Sequence, residues 1–424
     1  MREVAAMRFR RAATMLIGLI LLWAVPAWAE QAVVTFVWPT YTASKVRYGE
    51  ELVRQFEEAH PNIDIDLVLA SDPYERLTVL VAAGTPPDVV WLGAGWHQFI
   101  GLFMPLDGFV ARDAAEIDVQ DFLPPVWNVH IWEGVRYALP TGYQTLAGFY
   151  NKDRYNQAGR AYPTDEWTVD QMIDDARAMT VDSNGDGTPD RWGVSWLYGY
   201  VWSFVHYGGP VADPTWTEIR INNPVTARAL SLWNGLPWDF QVAPPNHGNL
   251  SMIENGDIGI FASGIWLQEN LTQSGNFDFD YVDYPWLVVG GERHRGTIIY
   301  PEELAILKDT DVPEEAWTFL KFATGREHLT WAAQEGHIVP ARLSILTSDI
   351  FQRPDKRMQV WYTSAEYAHE LLPHPTYNNL LAVFNEHWRR MAGASPSLSI
   401  EAGLELMQSQ MQAVLDEYNA RTRN

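Results

Sequence analysis

The 424-residue chain contains no cysteine. No disulfide can brace it, so the core must stand on packing alone. The same absence removes the thiol to which a lipid anchor would be attached after export. Basic residues are scarce, with 30 Lys and Arg against 53 Asp and Glu and a formal net charge of −23. That balance opposes nucleic acid or an anionic membrane surface as a partner. Long apolar runs are missing beyond the N-terminus, and the run from Met15 to Val25 is short for a bilayer span. Catalytic signatures are missing too: there is no nucleophile elbow, no His-Glu-x-x-His, no phosphate loop and no dinucleotide glycine fingerprint. The 11 histidines show no metal-ligand spacing, and His369 and His374 read as surface residues.

The first residues do carry a signal. Arg8, Arg10 and Arg11 precede the apolar run, and Ala27-Trp28-Ala29 offers a small-x-small cleavage site. Residues 1–29 therefore read as a secretory signal peptide, with Glu30 the new N-terminus. Removing four basic residues and one acid leaves a mature charge of −26. A soluble, untethered, monomeric periplasmic protein is the expectation.

Tryptophan is plentiful, at 20 residues, and its placement guides the reading. Thr85–Trp96 (TPPDVVWLGAGW) reads as a turn, a short buried strand and a glycine loop flanked by Trp91 and Trp96. Before it, Val33–Val37 reads as a buried strand, Ser44–Ala59 as an amphipathic helix, Ile63–Leu69 as an alternating strand and Asp72–Ala83 as a second helix. This order predicts an α/β fold with a parallel sheet, the loops Trp38–Tyr41 and Trp91–Trp96 sharing one rim. Further on, Gln144–Asn151 and Gly296–Leu307 read as extended apolar stretches, and Thr168 with Gln171 as a capping box. Tyr198 and Tyr200 fall in an aromatic-rich segment from Trp192 to Tyr207.

Four stretches, TPPDVVW at 85–91, LAGFYNKD at 146–153, GIWL at 264–267, and LAILKDTDVPEEAWTFLKFATG followed by EGHIVP within 304–340, together resemble the bacterial extracellular solute-binding proteins of the maltodextrin-binding type. The resemblance implies the two-lobe periplasmic-binding fold of type II, closing over its ligand by hinge motion. It implies an N-terminal lobe of 30–145 plus 305–343 and a C-terminal lobe of 146–304 plus 344–424. It also implies a sugar ligand and the permease subunits of an ABC importer as partners, with no catalysis. The same fold binding a sugar phosphate or uronate, and a secreted glycan-processing enzyme, are the alternatives.

A sugar offers apolar C–H faces and rings of hydroxyls, so its site needs flat aromatics beside carboxylates and amides. The candidates are Trp38, Tyr41, Trp91, Trp96, Trp202, Tyr207, Trp266, Tyr300 and Tyr377, with Asp88, Gln144, Glu302 and Asn378 as polar partners. By resemblance, Trp91 and Trp266 match ligand-stacking positions, and Gln144 falls where the maltodextrin binder carries a ligand-contacting carboxylate. Asp88 reads equally as a turn residue, and Trp317 and Trp331 read as core. The adjacent Glu302-Glu303 pair reads poorly as glycosidase chemistry, because neighbouring carboxylates in one segment point apart. Finally, Asp182, Asn184, Asp186, Thr188 and Asp190 match positions 1, 3, 5, 7 and 9 of a calcium loop with glycine at position 6. Gly193 stands at position 12 in place of the usual glutamate, so the alternatives are one structural calcium and an ion-free turn.

Overall fold

The computed structural model describes residues 31–197 and 200–422. The signal-peptide reading of residues 1–29 and the reading of Tyr198 lie outside the described residues. Among those described, no helix is long and apolar enough to cross a membrane.

The chain starts as the alternation predicted. Strand β1 (Ala32–Pro39) leads to helix α1 (Ala43–Ala59), strand β2 (Ile63–Ala70), helix α2 (Pro73–Ala82) and strand β3 (Val89–Leu92). Thr42 caps α1 by accepting from the Lys45 amide, and Asp72 caps α2 by accepting from Tyr74 and Glu75. β1 runs parallel to both β2 and β3. Strand β4 (Ala138–Thr145) passes through Leu146 into β5 (Ala147–Asn151). Helix α3 (Val169–Met179) opens on the expected Thr168–Gln171 capping box, and β6 (Trp192–Ser195) follows.

Helix α4 (Pro224–Trp238) carries Pro237 inside its last turn. Pro237 has no amide to bond the Trp233 carbonyl, and the helix ends one residue later. Strands β7 (Ile258–Ser263), β8 (Phe279–Val282) and β9 (Thr297–Ile306) come next. Helix α5 (Pro313–Ala323), strands β10 (Val339–Pro340) and β11 (Ala368–Glu370), and helices α6 (Tyr377–Met391) and α7 (Ile400–Thr422) complete the chain.

The strands form two principal sheets. One has the order β10-β4-β9-β3-β1-β2 with β11 also on β9, and the other the order β8-β5-β7-β6. β4 and β9 are the long connectors. β4 belongs to the first sheet and its continuation β5 to the second. β9 pairs with β3 through Glu303–Ile306 and with β11 through Thr297–Ile299. Between those two partners Tyr300, Pro301 and Glu302 stay paired to β4, with a register shift at Glu302/Glu303. Trp317 is fully buried, as expected.

Candidate functional site

The loops after β1 and β3 share a rim. Tyr41, 54% exposed, lies edge-on to Trp91 with ring centroids 5.8 Å apart. Lys45, in the first turn of α1, reaches over the Trp91 ring at 4.5 Å and the Trp38 ring at 4.9 Å. Its ammonium meets Glu302 Oε2 at 2.5 Å, and Gln144 Nε2 donates to Glu302 Oε1 at 3.0 Å. Gln144 pairs across from Tyr300, so connectors β4 and β9 present these groups to one face. The buried Gln144 Oε1 and Trp91 Nε1 have no hydrogen-bond partner within the protein, which leaves an acceptor and a donor at the same place.

The other side of the crossing supplies Trp266. β7 ends at Ser263, paired with Ala147 just past the β4–β5 junction, and the chain turns there through Gly264. A Cβ on Gly264 would lie 1.8 Å from the Trp266 ring. Glycine lets the indole lie flat over the backbone, and the ring stays 44% exposed. An exposed tryptophan beside a polar crossing is the informative kind of apolar exposure. Tyr377, at the start of α6, packs its ring onto Gly95, and Asn378 Nδ2 donates to Gln98 Oε1 at 2.7 Å. These contacts bring α6 to the glycine–tryptophan loop.

Tyr41, Trp91, Gln144, Tyr300, Glu302, Tyr377 and Asn378 are thus placed around the crossing strands, with Trp266 on the loop beside them. Five other candidates are placed elsewhere. Trp38 is fully buried beneath α1, its Nε1 donating to the Lys45 carbonyl at 2.7 Å, because Gly49 leaves a slot for the indole. Trp96 is fully buried beside His97 and His130. Trp202 stacks on Phe384 at 3.9 Å, and the Tyr207 hydroxyl is satisfied by the Pro285 carbonyl at 2.7 Å, so both are core. Asp88 stands at the start of β3, a full strand from the rim. It accepts from the Thr35 amide at 2.8 Å and the Thr310 hydroxyl at 2.5 Å, which makes it a structural tie. His374, read as surface, is 1% exposed and packs between aromatic rings. Sequence reasoning missed Lys45, whose only hint was its place directly after the Trp38–Tyr41 loop, and Gln98, which carries no hint.

Glu302 and Glu303 have opposite surroundings. Neither Glu303 oxygen accepts a hydrogen bond, and its neighbour is His130 Nε2 at 3.5 Å. Burial, reinforced by Glu370 and Glu302, pushes the Glu303 carboxyl well above the usual range, while burial brings His130 down to about 3. Both shifts disfavour the charged forms and so oppose an ion pair across this contact.

In the 182–190 loop, Gly185 and Gly187 take positive φ. Asp182 accepts from the amides of Gly185, Asp186 and Gly187, while Asp190 accepts from the Ser183 amide and hydroxyl. The donors are all oxygens and suit calcium in type. Among the described residues, no three acids or histidines converge on one point as a metal set.

Two lobes joined by crossing strands, with aromatics and amides gathered at the crossing, define a two-lobe solute-binding protein. Residues 41–328 match the bacterial extracellular solute-binding protein family, and the chain belongs to it. It is similar to a binding protein of Brucella abortus (25% identical over 73% of this chain and 76% of that one). A maltotriose-binding protein of Pyrococcus abyssi is 21% identical over 73% of this chain and 67% of its own length. In fold the chain is similar to an ABC substrate-binding protein of Listeria monocytogenes solved with cycloalternan (TM-score 0.76, 21% identity, 91% of this chain and 99% of that one). It is likewise similar to the sugar-binding protein of Xanthomonas citri (TM-score 0.76, 18% identity, 93% of this chain and all of that one).

Proposed function

We propose that the protein captures a neutral carbohydrate between its two lobes in the periplasm and delivers it, as a monomer, to the permease subunits of an ABC importer. The observation that carries this reading is the Lys45–Glu302–Gln144 set beside the planes of Trp91 and Tyr41. Amide, carboxylate and ammonium can bond a ring of hydroxyls, while the aromatics take the apolar sugar face. Trp266 closes the site from the other lobe. The lobes divide at residues 145–146, 304–305 and 343–344, and β4 and β9 act as the hinge.

Because Lys45 is already paired with Glu302, this set offers no spare cation, which weighs against a sugar phosphate or uronate. Turnover is not part of the proposal. Glu302 and Glu303 leave β9 toward different partners, so they cannot flank one glycosidic bond as hydrolysis requires.

A thermal-shift screen of maltose, maltotriose, cyclic oligosaccharides, mannitol and glucuronate tests the reading. A true ligand at a hundred times its Kd should add about 2.7 kcal/mol of stability. A protein that no neutral saccharide stabilises is not the carbohydrate binder proposed. Trp266→Ala should weaken binding strongly at nearly unchanged stability.

We also propose one structural calcium in the 182–190 loop, supported by its all-oxygen donors and its glycine positions. Gly193 in place of the usual glutamate implies weak affinity. Adding a chelator should lower the melting temperature, and no change would remove the ion.

A further inference from the structure

Strand β9 turns Glu303 away from the sugar-facing set, and Glu370 shares that opposite face through its pairing with Ile299, an even number of residues from Glu303. A cavity of about 380 Å³ opens there, lined by His97, Trp132, Glu133, Thr215, Trp216 and Glu370 among others. It touches none of the residues assigned above to the sugar site. Its aromatic members are linked into a chain by His374, which packs behind the lining. The His97 ring lies 5.5 Å from Trp132, His374 lies 5.4 Å from Trp132, and Trp216 lies 4.8 Å from His374.

Two features single the cavity out as built rather than left over. His97 is 1% exposed, yet its Nδ1 has no hydrogen-bond partner. Trp216 is held at φ 50°, a left-handed conformation that strains a bulky residue. Its turn is fixed by Asp213, which accepts from the amides of Thr217 at 2.7 Å and Glu218 at 2.6 Å.

The lining selects by charge. It includes two carboxylates and neither lysine nor arginine. Burial holds His97 well below its ordinary value and His374 down to about 4, so neither imidazole supplies a positive charge near pH 7. An anion has nothing to bind here. Burial also pushes Glu370 up to about 8, which leaves Glu133 to supply the acid charge near pH 7. Indole faces beside that carboxylate instead favour a cation, attracted by the ring quadrupoles and by the acid charge.

We propose that this cavity is a second binding site for a small organic cation of the alkylammonium class, held by Trp132 and Trp216 and neutralised by Glu133. It does not depend on what the sugar-facing side binds.

Calorimetric titration of the full protein with tetramethylammonium and propylammonium, against glucose and acetate at constant ionic strength, tests it. Saturable binding of an ammonium is expected, weakened roughly ten-fold or more by Trp132→Ala and by Glu133→Gln and unchanged by Trp266→Ala. Glu133→Gln is nearly isosteric and guards against an unfolded variant. The proposal is overturned if neither ammonium binds saturably, if both cavity variants bind as the parent does, or if Trp266→Ala abolishes the binding. Glucose binding that is lost in Trp132→Ala would likewise overturn the cation assignment.

Discussion

Replacing Lys45 with methionine keeps an unbranched stem over Trp38 and Trp91 and deletes the ammonium. The Lys45 and Glu302 side chains are only 11% and 9% exposed, so this is a buried pair and not a surface bridge. Removing one partner of such a pair costs about 3–5 kcal/mol, because the other charge is left uncompensated. Glu302 keeps the Gln144 amide bond, and a hydrogen bond to a charged group offsets about 1.5–3 kcal/mol. A net loss of about 2 kcal/mol is therefore expected. It should be read from urea unfolding as a lower midpoint at unchanged slope. The double variant Lys45→Met/Glu302→Gln should regain most of the loss, since no unpaired charge remains. A Lys45→Met protein within about 0.5 kcal/mol of the parent would show that water screens the pair, as it does for exposed bridges. The low exposure would then be a poor guide to this site.

Other perturbations follow from the same geometry. Gly264→Ala places a Cβ 1.8 Å from the Trp266 ring and should drive the indole off the backbone, so sugar affinity measured by calorimetry falls while the melting temperature barely moves. Gly49→Ala closes the slot beneath α1, 2.4 Å from the Trp38 ring, and should cost about 1–3 kcal/mol by overpacking, read from urea unfolding. Glu370 titrates at about 8 in the folded protein, raised by burial against a smaller lowering from the Trp96 indole. The folded state then holds a proton that the unfolded state releases above about pH 4.5. Stability from this group falls as pH rises toward 8 and levels off above it. Glu370→Gln should therefore stabilise at pH 8, by about 2 kcal/mol for a partly buried acid, and change little at pH 4. Equal effects at the two pH values would contradict the raised acidity constant.

Much of the scaffold was legible because two periodicities do not mislead in it. The 3.6-residue stripe of α1 and the alternation of β2 each have one solution, and Asp72 and Thr168 mark where helices begin. The connectors were legible as extended apolar stretches, since strands buried on both faces lose their polar alternation. Which tryptophans face a ligand was not legible. Trp38 and Trp91 both sit near strand ends and both meet Lys45, yet Trp38 is roofed by α1 while Trp91 lies against the exposed Tyr41. The difference lies in Gly49, a helical glycine whose meaning appears only once α1 is laid over β1. Asp88 failed for a simpler reason: a strand has two ends, and a motif read as a unit does not say which end faces solvent.

The adjacent glutamates of β9 show how far one strand can separate two like side chains. Glu302 gains an ammonium and an amide and stands where hydroxyls could be bonded. Glu303, one residue on, has no hydrogen bond, and burial opposes its ionisation just as it opposes protonation of the neighbouring His130. The register shift between them marks where the connector passes from β11 to β3 as its neighbour. If burial alone keeps Glu303 neutral, Glu303→Gln should preserve the fold at pH 5 and stabilise it increasingly as pH rises, because the unfolded glutamate would no longer gain by ionising. If His130 were charged and paired with it, the same change would destabilise at every pH by removing the partner of a buried cation. Urea unfolding of Glu303→Gln at pH 5 and pH 8 separates the two by sign, and the neutral pair requires the larger gain at pH 8.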